Sequence, residues 1–508
     1  MRLTLISPRL AIQKGDFLGS GVPYWPIETA VFAAFLRDLG HHVSVLDLFG
    51  ADPRRLEERR DHFLQGRPLA DYSASAAVRR AEAFVVHAIS YMSHGEIREI
   101  ATVLARERPG VPILALENTQ AVTGYAISSV ADELLAAGFT GLICGEPYWN
   151  WPDIEASLSS PGSVAPANVL TARHRGPAAR QHRSDGEYPM PAWDLVPLSS
   201  YWRLPYAHGP KTRTFLPILT SRGCPYPCDF CVVPETNSMR WRARAPAAVV
   251  DEILALRDRF DVRDFQVEDL NPTVKRSRWR DIAELLLACD AGVRFYFVSG
   301  TKAETVRVED VPLLAAAGLR YLSISPESGS ARVLKRMGKP FDYEHGERLV
   351  AACRRHGVAT QACFLVGHPS EDEADFALSA RYLRRLVRRG LDEVAVFVVA
   401  PLPGSAVFRA QAIAVSRPDS LVSFSPRGRA DWKVASRRRR SLIRVFFFEK
   451  LRGGLSLWAQ GVRALVGIPR TKMENLPRRA AYIIWLILRH RLANLAGVKR
   501  RAVDAVRR

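Results

Sequence analysis

The sequence predicts an α/β protein built from a doubly wound sheet, a partial (β/α)6 barrel and a basic helical tail, in that order. Apolar runs of strand length alternate with amphipathic helical stretches along residues 1–144, and the same alternation returns along residues 215–399. A chain of 508 residues is too long for one core. The expected first domain, linker, second domain and tail are residues 1–156, 157–211, 212–425 and 426–508.

The first domain contains five apolar runs that predict buried strands. These strands are expected at residues 3–7, 43–46, 84–89, 111–116 and 141–144. Helices are expected between them at residues 27–39, 95–107 and 127–137. Strands that alternate with helices in this way form a parallel sheet, and such sheets bind ligands at the carboxyl ends of their strands.

The linker is rich in Pro, Ser and Gly, which break long helices and strands. Its centre, residues 188–201, contains several aromatic residues. Because large aromatic side chains favour burial, we expect this part to pack across both neighbouring domains.

The second domain contains six further apolar runs, each followed by a helical pattern or a turn. The strands are expected at residues 215–220, 264–267, 294–298, 321–325, 360–366 and 393–399. The intervening helices are expected at residues 247–260, 280–289, 311–317, 344–356 and 373–389. Six parallel strands in this order predict an incomplete barrel whose site lies at the strand carboxyl ends.

The tail carries nearly all of the net charge of +20. Residues 427–508 contain 22 of the 72 Lys and Arg residues but only 4 of the 52 Asp and Glu residues. Its longest apolar run, residues 480–488, falls well short of the roughly 20 residues that span a bilayer. Three interpretations remain open: a helix in an anionic lipid interface, an extension packed on the barrel, or an RNA-binding appendage.

The seven cysteines are an odd number, and three of them are too close together to pair sensibly with the scattered others. This pattern indicates a reducing compartment. Residues 1–8 lack the longer apolar stretch of a secretory signal and read as a first strand. We therefore expect a cytoplasmic protein.

Cys224, Cys228 and Cys231 follow the first strand of the second domain. Three thiolates form a soft ligand set that is one short of a closed four-ligand site. They therefore leave one coordination position open, where a reactant could bind. A structural zinc site is disfavoured because it normally needs a second pair of Cys or His ligands, and the other cysteines are not paired in motifs.

This Cys-x3-Cys-x2-Cys spacing, with Phe230 before the last cysteine, resembles the loop of radical S-adenosylmethionine (SAM) enzymes. The resemblance implies that the three cysteines hold a catalytic [4Fe–4S] cluster and that SAM chelates the open iron. An external one-electron reductant would then trigger formation of a 5′-deoxyadenosyl radical. Phe230 is expected to contact the cofactors.

Later strand ends resemble other loops of the same family. Glu327 and Ser328 belong to a Glu-Ser-Gly-Ser segment, Glu268 follows the second strand, and Ser299 follows the third. The resemblance implies that these four residues bind SAM. Two further segments, residues 367–371 and 401–405, stand where the family carries Gly-x-Pro-x-Glu and Pro-x-Pro-Gly-Thr. Each alone is also explained by a helix cap or a turn.

The first domain resembles the cobalamin-binding domain that precedes some radical SAM enzymes. The resemblance depends on loops that follow successive strands, and it implies cobalamin contacts at Pro8, Ser90, Gly145 and Glu146. The Asp-x-His-x-x-Gly motif that supplies a histidine ligand to cobalamin elsewhere is absent. Cobalamin is therefore expected without a histidine from that motif. The alternative is a domain that has kept the fold and lost the cofactor.

These resemblances imply a cobalamin-dependent radical SAM enzyme that methylates an unactivated carbon of a small-molecule or lipid-like substrate. The same architecture occurs in cyclases and oxidases, which remain alternatives. A tRNA methylthiotransferase ranks lower, because such enzymes carry three further cysteines in the first domain and only Cys144 is present there. A non-catalytic metal-binding or nucleic-acid-binding scaffold is the remaining alternative, and nucleic acid is the disfavoured partner. A lipid-like substrate would agree with peripheral membrane contact through residues 427–508.

Overall fold

The structure is a computed structural model that describes residues 1–16, 19–159, 166–176, 178–180, 182, 186–415, 426–454 and 456–506. The expected boundary at residue 425 and parts of the expected linker lie outside the described residues.

Among its described residues, the first half of the chain contains nine strands and six α-helices. The strands are β1 (Arg2–Ser7), β2 (Leu10–Gln13), β3 (His42–Asp47), β4 (Leu56–Glu58), β5 (His62–Gln65), β6 (Ala83–Ala88), β7 (Ile113–Glu117), β8 (Gly141–Ile143) and β9 (Val169–Leu170). The helices are α1 (Ile27–Asp38), α2 (Leu48–Ala51), α3 (Ala76–Arg79), α4 (His94–Glu107), α5 (Ala131–Ala136) and α6 (Trp151–Ser159).

The larger sheet of this half has the strand order β3-β1-β6-β7-β8-β9, in which only β9 runs antiparallel. The five parallel strands confirm the predicted doubly wound sheet. Their order changes direction between β1 and β6, and ligands bind at such a switch point in open α/β sheets. The sequence did not predict the small antiparallel sheet β2-β5-β4, because strands of three and four residues are too short for their periodicity to be recognised.

Helix α7 (Leu198–Arg203) leads from the linker into the second half. The strands that follow are β10 (Leu216–Ile218), β11 (Ser221–Arg222), β12 (Arg242–Ala243), β13 (Asp264–Val267), β14 (Arg294–Thr301), β15 (Leu319–Glu327), β16 (Ala359–Val366) and β17 (Glu393–Val398). The helices are α8 (Val233–Thr236), α9 (Pro246–Phe260), α10 (Arg278–Ala288), α11 (Val311–Ala316), α12 (Ala331–Arg336), α13 (Tyr343–Arg355), α14 (Glu373–Arg389) and α15 (Ala406–Arg409).

The barrel strands pair in the order β10-β13-β14-β15-β16-β17, and every neighbouring pair is parallel. Among the described residues no pairing joins β17 back to β10, so the barrel is open as the sequence predicts. Strands β14 and β15 extend beyond their predicted ends, and this extension places Ser299 and Glu327 within strands.

The centre of the linker packs between the two halves, as expected. Trp193 and Tyr201 are buried. The Trp25 ring, just before α1, stacks on Tyr201 at 4.4 Å and meets Trp193 at 5.7 Å and Phe215, next to β10, at 5.3 Å. One hydrophobic cluster therefore runs from the first sheet through the linker into the barrel.

The tail contains the helices α16 (Trp432–Arg452), α17 (Ser456–Val466) and α18 (Leu476–Val506). Helix α16 packs against α14 and β17. Ile483 and Leu486 of α18 are buried in a cluster with Ile12 and Phe63 of the small antiparallel sheet. The tail thus packs on both halves of the protein, as one of the three interpretations expects. Within the described residues, no helix has the length and apolar character needed to cross a membrane.

Candidate active site

The cysteine loop begins where β10 ends, at the carboxyl edge of the barrel. Asp269 accepts hydrogen bonds from the Thr220 amide at 2.7 Å and from the Thr220 hydroxyl at 2.6 Å. Gly223 follows with a φ of 75°. A Cβ at this position would lie 1.9 Å from the Arg240 carbonyl oxygen, so the turn requires glycine. These contacts hold the start of the loop in one conformation.

Cys224, Cys228 and Cys231 line one cavity of about 270 Å³. None is in a disulfide, and Cys228 is buried while the other two are partly exposed. The Cys231 amide donates to the Cys228 carbonyl at 3.1 Å, which closes a turn between them. Phe230 lines the same cavity. The structure therefore brings together the three thiols and the aromatic residue that the sequence singled out.

The cysteine set fits an iron–sulfur cluster better than a single metal ion. Across the described residues, no three His, Cys, Asp or Glu side chains are arranged to hold one ion. The three thiols supply only soft sulfur ligands, which are the ligands of iron–sulfur clusters. Burial raises the pKa of the Cys228 thiol to about 11. A bound cluster must therefore displace thiol protons, which positive charge on the metal favours.

Glu327 lies in the cavity at the end of β15, with a φ of 59° that is unusual for a residue with a side chain. Its Oε1 accepts from the Lys339 Nζ at 2.5 Å, and the same ammonium donates to the Ser325 Oγ at 2.8 Å. Burial lowers the pKa of Lys339, but the Glu327 carboxylate and the nearby cysteines raise it above its ordinary value. Lys339 is thus a permanent cation beside the cysteines.

Ser328 is not among the residues that line this cavity, and its predicted contact with a cofactor stays a prediction. Its hydroxyl lies 3.2 Å from the Ser379 Oγ and accepts from the Ser330 amide at 3.1 Å. The side chain is fully buried. Ser328 therefore anchors the loop that carries Glu327 onto α14.

Glu268 and Ser299 both line the cavity. Glu268 lies 2.7 Å from the Nδ1 of His208, which reaches in from the linker. The sequence did not single out His208, because the linker has no periodicity that assigns a direction to its side chains.

The first domain supplies a second wall of the cavity through Tyr24, Met92 and Gln120. The Gln120 Oε1 accepts from the Gly223 amide at 3.3 Å, so the loop after β7 touches the cysteine loop directly. The sequence missed this wall. These residues lie in loops and belong to no recognisable motif. They come together at the cysteine cavity only because the two halves of the protein pack against each other.

Pro8 and Ser90 line a smaller cavity of about 30 Å³ at the switch point between β1 and β6. A third cavity, of about 40 Å³, lies beside it against His87. Tyr24 lines all three cavities. The Nε2 of His87 is buried and has no hydrogen-bond partner among the described residues, while Nδ1 lies 3.1 Å from the Thr29 hydroxyl. A ligand with polar groups at the domain interface would satisfy this nitrogen.

Gly145 and Glu146 are absent from the linings of these three cavities, and the Glu146 carboxylate is already occupied by cations. Arg242 of β12 donates to its two oxygens at 2.7 and 2.9 Å, and the Nη1 of Arg222 lies 3.7 Å away. Gly145 donates its amide to Glu117 at 2.8 Å. Glu146 therefore joins the first domain to Arg242 in the antiparallel pair β11–β12, and its predicted contact with cobalamin stays a prediction.

Residues 218–383 match the family model described as the Radical SAM superfamily. The chain contains a radical SAM domain. This match spans β10 to α14 and includes the cysteine loop. A radical SAM domain implies a [4Fe–4S] cluster and SAM as cofactors, which agrees with the three thiols on one cavity wall.

Curated relatives match part of the chain. The cytidylyl-2-hydroxyethylphosphonate methyltransferase of Streptomyces wedmorensis is 27% identical over 233 residues, which cover 44% of this chain and 42% of the relative. The anaerobic magnesium-protoporphyrin IX monomethyl ester cyclase of Rubrivivax gelatinosus is 30% identical over 183 residues, covering 36% and 32%. The chain thus spans less than half the length of these relatives.

Solved structures resemble more of the chain. The radical SAM methyltransferase TsrM from Kitasatospora setae, with cobalamin and a [4Fe–4S] cluster bound, has a TM-score of 0.58 at 17% identity and covers 81% of this chain and 74% of its own. The cobalamin-dependent radical enzyme OxsB has a TM-score of 0.56 at 16% identity and covers 75% and 52%. At these identities the likeness shows a shared fold, which includes the domain before the radical SAM domain.

Proposed function

We propose that this protein is a cobalamin-dependent radical SAM methyltransferase that acts on an unactivated carbon of a small, lipid-like substrate. The observation that carries the proposal is the position of Tyr24, which lines both the cysteine cavity and the cavity at the switch point of the first sheet. A cofactor held by the first domain would therefore lie next to one held by the cysteine loop.

Each cofactor has residues in this chain that fit it. The three cysteines would hold the cluster, and Glu327, Glu268 and Ser299 would contact SAM. Pro8 and Ser90 would contact cobalamin, and the unpartnered His87 nitrogen would bond one of its polar groups. The donor set at the first domain contains no Asp-x-His-x-x-Gly motif, so we propose cobalamin without a histidine from that motif.

When bound, the cluster and SAM supply a radical that removes a hydrogen atom, and cobalamin supplies the methyl group. For each product, one SAM leaves as methionine and 5′-deoxyadenosine, a second leaves as S-adenosylhomocysteine, and an external one-electron reductant delivers two electrons. Apolar side chains of the barrel interior, among them Val298, Leu365 and Phe397, line the cavity and would exclude water from the radical. The Lys339 ammonium would hold the Glu327 side chain in position beside the cofactors.

A decisive experiment supplies methyl-labelled SAM, a reductant and lipid extracts to the anaerobically reconstituted protein. Transfer of label to a product, with formation of 5′-deoxyadenosine, is expected. Replacing Cys224, Cys228 and Cys231 by Ala should abolish both, because the cluster then has no ligands; persistent 5′-deoxyadenosine would overturn the radical assignment. The cyclase relative favours ring formation as the alternative, and 5′-deoxyadenosine together with an unlabelled cyclised or oxidised product would select it.

We also propose that the tail binds the surface of an anionic membrane. Helix α17 exposes Trp458, Val462 and Leu465 by 73%, 57% and 82%. The neighbouring tail helices also expose arginines: Arg452 of α16 lies over the Phe448 ring at 4.7 Å, and Arg489 of α18 lies over the Trp485 ring at 5.5 Å. Apolar residues flanked by arginine suit the interface between acyl chains and anionic headgroups.

Sedimentation with vesicles tests this proposal. The double variant Trp458→Ser, Leu465→Ser should lose binding to phosphatidylglycerol vesicles, because it removes apolar area that would enter the bilayer. The variant Leu287→Ser is a matched control, since this leucine is 43% exposed on the barrel. Equal sedimentation of the wild-type protein with phosphatidylglycerol and with neutral phosphatidylcholine would refute an electrostatic contribution, and unchanged sedimentation of the double variant would refute the role of α17.

A further inference from the structure

The tail contributes a residue to the active-site cavity. Between α17 and α18 the chain passes under the barrel, where the Met473 amide donates to the Oε2 of Glu393 at 2.6 Å. Glu393 is the first residue of β17, so this contact lies at the amino ends of the strands, opposite the cysteine loop. From there Lys472 points into the barrel, and it lines the same cavity as the three cysteines.

The segment that carries Lys472 is held rigidly. The Glu474 carboxylate accepts from Arg463 of α17 at 2.7 Å and from the Arg470 amide at 2.7 Å. Glu474 itself is buried. The Nζ of Lys472 donates to the Val298 carbonyl of β14 at 2.7 Å. Its ammonium also lies over the Tyr321 ring, 5.7 Å from the centroid. The side chain therefore has a defined position about halfway along the barrel.

Lys472 differs from the other lysines of the cavity in its charge partners. Lys302 lies 3.4 Å from a Glu304 carboxylate oxygen, and Lys339 lies against Glu327. Within the described part of the chain, no carboxylate lies within 4.0 Å of the Lys472 Nζ. Glu393 is nearby, but it already accepts hydrogen bonds from Tyr321, Gln361 and the Met473 amide.

Burial lowers the pKa of Lys472, and the charges of Cys363, Glu393 and Glu268 only partly oppose this effect. A cation inside a mostly apolar cavity is costly unless an anion accompanies it. An anionic group on a ligand would therefore gain a charge-assisted hydrogen bond here that a neutral group would not.

We propose that Lys472 binds a carboxylate of the substrate, so that the substrate class is an amphipathic carboxylic acid. This inference rests on the proposed function and names its substrate class. Val298 precedes the end of β14, Thr301, by three residues, which places the acid group about 10 Å below the carboxyl edge of the barrel at roughly 3.3 Å per residue. An apolar stem of several carbons would span this distance toward the cysteines.

Binding of octanoate and of its neutral counterpart 1-octanol tests the inference. Calorimetry would use the anaerobically reconstituted full chain, saturated with SAM and without reductant. We expect octanoate to bind about tenfold to hundredfold more tightly than 1-octanol, as for a hydrogen bond to a charged group. Lys472→Met should abolish this preference and leave 1-octanol binding unchanged, while Lys472→Arg should retain it. Lys211→Met is the matched control, because Lys211 is partly buried in a different cleft.

Equal binding of the two probes to the wild-type protein, or a preference that survives Lys472→Met, would overturn the inference. A preference that appears only without SAM would assign Lys472 to SAM and also overturn it. Formation of 5′-deoxyadenosine on reduction separates this failure from that of the proposed function. If SAM is cleaved but octanoate is not preferred, only the proposed substrate class is refuted. If the wild-type protein does not cleave SAM, the proposed function is refuted.

Discussion

Replacing Glu146 by Gln should destabilise the protein strongly, because it breaks a buried ion pair. The Glu146 carboxylate is 1% exposed, and its Arg242 and Arg222 neighbours are 5% and 2% exposed. The variant leaves Arg242 buried without its bidentate partner, whereas Arg222 keeps Glu28 at 2.8 Å. Breaking a buried ion pair from one side costs about 3–5 kcal/mol, so we expect a loss of this size in the free energy of unfolding.

Urea denaturation of the full chain, followed by circular dichroism, measures this loss. The double variant Glu146→Leu, Arg242→Met removes both charges and should be more stable than Glu146→Gln, because no buried charge is then left alone. A loss below about 1 kcal/mol for Glu146→Gln would refute the structural role. Loss of corrinoid binding in a variant of unchanged stability would support the cobalamin contact that the sequence suggested.

The stability difference between the wild-type protein and Glu146→Gln should change with pH in a defined direction. Burial raises the pKa of Glu146, but the neighbouring His182 ring, the hydrogen bonds from Arg242 and the charge of Arg222 lower it well below its ordinary value. A carboxyl group with a lowered pKa stabilises the folded state above its unfolded pKa of about 4.3 and loses this contribution as the pH falls. The stability difference between the wild-type protein and Glu146→Gln should therefore be constant near pH 7 and shrink below about pH 4.

Three further substitutions separate cofactor contacts from supporting residues. Glu327→Gln should weaken SAM binding at least about tenfold in equilibrium dialysis, because it leaves the Lys339 cation without its partner; an unchanged affinity would exclude Glu327 from the SAM site. Ser328→Ala should lower the free energy of unfolding by about 1–3 kcal/mol and leave SAM affinity unaltered, since its hydroxyl bonds protein groups only; weaker SAM binding at wild-type stability would contradict this. Leu486→Ala should cost about 2–5 kcal/mol by opening a cavity under α18, and a neutral effect would show that this helix does not depend on its contact with the small sheet.

Much of the fold could be predicted because its signals are local. Strands β1, β6, β13 and β16 are buried on both faces, so a few consecutive residues are enough to predict each strand. The cysteine spacing is equally local, and the structure places its three thiols on one cavity wall. The small strands β2, β4 and β5 lack such a signal, since each has only three or four residues and β2 pairs with β5 about 50 residues away.

The role of individual site residues depended on partners far away in the chain. Glu327 and Ser328 are adjacent in one motif, yet the first faces the cavity and the second faces α14. Glu146 follows a strand end, where ligands often bind, but Arg242 lies 96 residues later and occupies its carboxylate. No pattern within either segment distinguishes these outcomes.

The sequence by itself determined the order of the two α/β units, the basic tail and the three-thiol site, because strand burial, helix periodicity and ligand spacing act over short stretches of chain. Only the tertiary structure decided that the first domain forms a wall of the cysteine cavity and that Glu146 pairs with Arg242. It also decided that the tail passes under the barrel and places Lys472 inside it. These features depend on packing between segments that are distant in sequence, where the free energy of burying and pairing charges selects the neighbours.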